Sequence, residues 1–237
     1  MVLYCFIYSL GEAFMVKITG FWFIDRFFNG IPWNGVYEFY SSDNSLLELL
    51  FHHVISVSSV YGRVYVVLVR EFGGLDPYFL LRLIRMRRGD PDNVFIARCF
   101  RMGDVETVLE DFLENNSSEK ASILIYTPYS FVRNGLIGYR DMSRITGLIH
   151  RLKNLGYRII LFNEVGRDGY YRPMGGFFHH HTADIVLRLD VKDRKWGYLI
   201  VVKHPRLSEG LRTSIPIDKI RGGNVWVEQR SLIEWLS

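Results

Sequence analysis

The chain is poor in cysteine, poor in lysine relative to arginine, and has no apolar run long enough to span a bilayer. Two of its 237 residues are cysteine. Cys5 and Cys99 lie far apart and match neither zinc nor redox spacing, a usage that fits a reducing compartment. Internal repeats, low-complexity stretches and an interdomain linker are all missing, so one domain is the simplest organisation. Lysine supplies 7 of the 29 basic residues and arginine 22, with a net charge of +4. Arginine suits bidentate phosphate contacts, which makes nucleic acid one candidate partner. What is present in quantity is apolar: 49% of residues are hydrophobic and 23% charged, enough for a well-packed core without long disordered regions.

The first sixteen residues, Met1 to Val16, are apolar in their first half but have no basic start and contain Glu12. That argues against a signal peptide, and the run is too short for a membrane span. The segment reads as an edge strand or a docking segment, and Met15 offers an alternative start just before the recognisable domain, 17–237. The expected location is cytoplasmic, with no membrane partner.

Short β-branched and aromatic runs alternate with helical patterns, as expected for a parallel sheet flanked by helices. The spacing predicts strands at Val36–Tyr40, Val64–Val69, Val94–Ala97, Ser122–Thr127, Arg158–Asn163, Ile185–Asp190 and Tyr198–Lys203. Helices are predicted at Leu46–Val57, Pro77–Arg88, Asp104–Asn115 and Arg140–Leu155, the third with Asp104 as its N-cap. The last three strands follow one another with short connections, which predicts an antiparallel extension of the sheet.

Several ordered motifs resemble the RecA/RadA recombinase core. Thr19-Gly20, Ile24-Asp25-Arg26-Phe27-Phe28 and Gly30-Ile31-Pro32 are similar to the family's opening segment. Asp76-Pro77 resembles the turn after its second strand, and Asn93-Val94-Phe95-Ile96-Ala97-Arg98 its third strand. Asn163-Glu164-Val165 stands where the family has an Asn-Gln-Val run. Pro173-Met174-Gly175-Gly176 with His181, and Lys203-His204-Pro205-Arg206-Leu207-Ser208-Glu209-Gly210, resemble two later signatures. The matches run from Lys17 to Ile217. They look closest to short archaeal RadA paralogs of RadB or RadC type, and imply a RecA-like P-loop NTPase core with a mostly parallel sheet.

The chemistry that this resemblance implies is degraded. A phosphate loop of the form GxxxxGKS or GxxxxGKT uses glycine to aim backbone N–H groups at the phosphates, lysine to reach them and a hydroxyl to hold magnesium. Between Tyr40 and Leu46 the chain reads Ser41-Ser42-Asp43-Asn44-Ser45, without glycine. Asn44 stands at the lysine position, Ser45 at the hydroxyl position, and Asp43 brings negative charge where phosphates would sit. The strand that should end in a magnesium-side aspartate ends in Thr127. The general-base position after the second strand is Phe72, with Glu71 one residue out of register. Asn44, Ser45, Thr127 and Asn163 are therefore remnants of a nucleotide site, and neither ATP hydrolysis nor binding of ATP with magnesium is expected.

Family members touch DNA through two loops. The first is Ser130 to Tyr139 with Arg133, followed by Arg140 and Arg144. The second is Gly166 to His181, with Arg167, Tyr170, Arg172 and His179-His180-His181. Arginines interleaved with aromatics suit phosphate contact and base stacking. The histidine run lacks a Cys or carboxylate at ligand spacing, so no metal is expected, and a structural role is expected for His181. Arg82, Arg85, Arg87 and Arg88 mark a basic helix face.

The expected function is that of a non-hydrolysing accessory factor in DNA recombination and repair. Its partners would be a RadA-type recombinase or paralog and single-stranded DNA. Two alternatives stay open. One is an ATPase whose distorted site a neighbouring subunit completes; the other is a KaiC-like signalling or scaffold protein with no DNA role.

Overall fold

The computed structural model describes residues 17–114, 121–131, 139–166 and 172–222. Eight strands form one sheet in the order β3-β2-β4-β5-β1-β6-β7-β8. They are β1 (Val36–Ser41), β2 (Val64–Val69), β3 (Val94–Cys99), β4 (Ser122–Tyr126), β5 (Arg158–Glu164), β6 (Ile185–Val191), β7 (Trp196–Lys203) and β8 (Arg212–Pro216). β1 to β6 are mutually parallel, and β7 and β8 continue the sheet antiparallel. The described α-helices are α1 (Trp22–Asp25), α2 (Asn44–Ser58), α3 (Pro77–Met86), α4 (Met102–Glu114), α5 (Tyr139–Asn154), α6 (Gly176–Thr182) and α7 (Ile217–Arg221). None of them is long and apolar enough to cross a membrane.

Central strands are apolar on both faces because helices cover both. β1, β4 and β5 are buried throughout. The alternation of side chains then sorts the core into two clusters. Tyr37 and Phe39 of β1 face one way, with Leu46, Leu50, Phe51 and Ile55 of α2. Val36 and Tyr40 face the other, with Val105, Leu109, Ile145, Ile149 and Leu152 of α4 and α5. Period two places Glu38 on this second face, an acid inside an otherwise apolar strand.

The predicted strands agree with the observed ones to within two residues at each end. Three readings are corrected. The antiparallel extension does not include β5 and β6: each pairs parallel to β1, which lies between them, and α6 occupies the connection. β8 escaped notice because its burial follows exposed, intermediate, exposed, buried, intermediate, with a single buried side chain. Asp104 lies inside the first turn of α4, and its carboxylate reaches back to the N–H groups of Phe100 and Arg101, both at 2.9 Å.

Asp25 explains why the opening Thr-Gly turn precedes α1. Its Oδ1 accepts from the N–H groups of Ile18 and Thr19 and from the Thr19 hydroxyl, and its Oδ2 accepts from Gly20 N–H. Gly20 has φ +75° and leaves room for the Arg87 guanidinium. Arg87 is thus not part of an exposed basic face. Its Nη2 lies 3.1 Å from His53 Nδ1, and burial lowers its pKa to about 10.

Candidate functional site

The carboxyl ends of the parallel strands gather at one edge of the sheet, the side on which open α/β sheets bind ligands. β1 leads there into α2 through Ser41-Ser42-Asp43. The Ser41 hydroxyl donates to Leu189 O at 2.8 Å and accepts from Asp43 N–H at 3.0 Å, fixing the turn. Asp43 is the N-cap: its Oδ1 accepts from Leu46 N–H at 2.9 Å. Its Oδ2 lies 2.9 Å from Arg221 Nη2 at the end of α7, in a partly exposed ion pair. The carboxylate therefore occupies the positive end of α2, where an anion would gain from the helix dipole. Asn44 is half-buried and Ser45 exposed just beyond it.

Across the edge, Thr127 follows β4 with φ +53°, an unusual conformation for a β-branched residue. Its N–H donates to Phe162 O at 2.7 Å. Its hydroxyl lies 3.1 Å from Val69 O and 2.8 Å from Tyr126 O, buried among backbone acceptors. Glu71 and Phe72 lie past the end of β2, and Phe72 is 82% exposed. Arg98 grips this turn from β3 through Arg70 O at 3.0 Å and Gly73 O at 3.1 Å.

The two loops meet the core at defined footings. At the first, Ser130 N–H donates to Thr127 O at 3.0 Å. At the second, Val165 and Pro173 form an antiparallel bridge, with Gly166 N–H donating to Arg172 O at 2.7 Å and Met174 N–H to Glu164 O at 3.1 Å. Arg133, Arg167 and Tyr170 fall outside the described residues. Arg140 and Arg172 are exposed. Arg144 is engaged by α4, with Nη1 at 2.9 Å from Glu106 and Nη2 at 3.3 Å from Glu110. His181 is exposed, and the buried member of the histidine run is His179.

Sequence reasoning missed the polar network between these footings. Glu38 Oε1 lies 2.9 Å from His179 Nε2 and accepts from Asn163 Nδ2 at 2.8 Å. His179 Nδ1 lies 2.7 Å from the Tyr129 hydroxyl, which lies 2.9 Å from Thr146 Oγ1 on α5. Asn163 also donates to Met174 O at 2.7 Å. Glu38, Tyr129 and His179 are buried completely or almost so, and burial pushes the Tyr129 hydroxyl well above the ordinary phenol range. The available signals were an acid in an apolar strand and a histidine shortly after Gly175-Gly176. Among the described residues, no group of three or more His, Cys, Asp or Glu side chains is placed to hold a metal ion.

Sheet order, parallel core and antiparallel extension together define a RecA-like α/β core. The crystal structure of the RadB recombinase is similar to this chain, with a TM-score of 0.65 and 16% sequence identity. The match covers 81% of this chain and 92% of that one, and shows the shared fold. No protein-family model and no curated protein matches the sequence.

Proposed function

We propose that this chain is a recombinase-like accessory factor that does not hydrolyse ATP and acts in DNA recombination by binding a RadA-type recombinase, single-stranded DNA or both. The observation that carries this reading is the Asp43 carboxylate at the start of α2, bonded to Leu46 N–H and paired with Arg221. A triphosphate there would meet a fixed negative charge, a first-turn N–H already spent, and a turn without glycine. The residues on the magnesium side do not fit the cation either, since the Thr127 hydroxyl is turned to backbone carbonyls and supplies no charge. ATP and magnesium therefore take no part in the proposed activity, which rests on surfaces.

Arg140 and Arg172, exposed beside the two loop footings, support contact with a phosphate backbone. Arg144, held by two glutamates, is the weaker candidate, and His181 adds an exposed ring. The test is capture of a RadA-type recombinase by the immobilised chain, alongside fluorescence anisotropy with a labelled oligodeoxythymidylate over a salt series. The proposal expects capture without nucleotide, or DNA affinity that falls steeply with salt. Failure of both would remove it in favour of a scaffold role.

A further inference from the structure

The buried network lies beneath both loop footings and is attached to the strand that feeds α2. Tyr129 belongs to the first footing, between Thr127 and Ser130. Asn163, Met174 and His179 belong to the second. The second footing reaches Glu38 Oε1 of β1 directly, through Asn163 and His179, and the first reaches it through the Tyr129–His179 bond, while Glu38 Oε2 is buried with no hydrogen-bond partner among the described residues. A buried carboxylate left half-satisfied is costly, and the fold keeps this one at full burial.

A count of hydrogens along the chain of bonds defines its state. Thr146 has one hydroxyl hydrogen, and its Oγ1 donates to Met142 O at 2.8 Å. The hydrogen between Tyr129 and Thr146 must then come from Tyr129, so the tyrosine oxygen accepts from His179 Nδ1. With Nδ1 protonated, the contact between Nε2 and Glu38 Oε1 at 2.9 Å holds one further proton. Glu38 and His179 thus share that proton as a pair of no net charge, which is what complete burial favours.

We infer that Glu38 and His179 are positioning residues that carry both loop footings on β1, so that the two footings open and close as one unit. The inference builds on the reading of these loops as contact surfaces, but its test is independent of DNA. Glycine at position 175 belongs to the same device. Its φ is +113°, and a Cβ there would come within 2.6 Å of the Tyr129 ring and 2.9 Å of His179.

Amide hydrogen exchange in the intact chain tests this, read at Ser130, Gly166 and Met174, whose N–H groups close the two footings. Glu38→Ala should speed exchange at all three on the order of 10-fold or more, whereas Glu38→Gln, which keeps an acceptor, should change them by less than about 3-fold. Tyr129→Phe removes only one hydroxyl and serves if Glu38→Ala does not fold; it too should loosen both footings. Nitrogen-resolved NMR of labelled histidine should find hydrogen on His179 Nδ1. Exchange that rises at one footing alone, or a bare Nδ1, overturns the inference. If both footings loosen while oligodeoxythymidylate affinity is unchanged, the coupling stands and the reading of the loops as a DNA surface fails.

Discussion

Two acids of β1 and its turn, five residues apart, meet opposite fates. Asp43 sits at the rim, where it caps α2 and pairs with Arg221 in partial contact with solvent. Glu38 lies inside the sheet with His179 and Asn163, fully buried. The rim pair is screened and replaceable, so it adds little to stability. The interior pair is desolvated, and removing one member strands the other. The rim contacts are therefore separable, whereas each interior group depends on its partners.

At neutral pH, loss of the interior acid should have the largest effect. Glu38→Ala is expected to cost about 3 kcal/mol in urea unfolding, because His179 and Asn163 lose a buried acceptor. A cost below that of an ordinary surface substitution would erase the distinction between the two acids. The buried length of α2 supplies a second test. Burial lowers the His53 pKa to about 3 and depresses that of His52 as well. Below their unfolded value near 6.5, the unfolded chain takes up protons that the folded chain refuses. Stability is thus fully present above pH 6.5 and lost as pH falls from there towards 3, by up to about 1.4 kcal/mol per pH unit from His53. His53→Gln should flatten that acid limb, and an unchanged slope would show that His53 titrates normally. Smallest are the rim variants. Asp43→Ala should cost about 1 kcal/mol through the lost cap, and Arg221→Ala about 0.5 kcal/mol or less through the lost pair. A larger loss for Arg221→Ala than for Asp43→Ala would mean that α7 depends on more than this contact.

The legibility of the chain follows the same division. Val64-Tyr65-Val66-Val67-Leu68-Val69 announces a central strand from composition alone, and β2 spans those residues. The charge at the rim was legible too: Asp43 is expected where phosphates would sit, and its carboxylate stands at the start of α2. β8 was hidden because an outer strand with one buried side chain leaves no clear alternation. The interior network was hidden because its members meet from far apart: Glu38 and His179 are separated by 141 residues, and Tyr129 and His179 by 50. No local period reports such a meeting. Family position drew the eye to His181, but His179 faces the core and His181 faces solvent.

In the proposed function the start of α2 does not accept a triphosphate. Calorimetric titration of the chain with magnesium–ATP addresses it most directly. No saturable heat is expected into the millimolar range; saturation with a micromolar Kd would overturn the proposal.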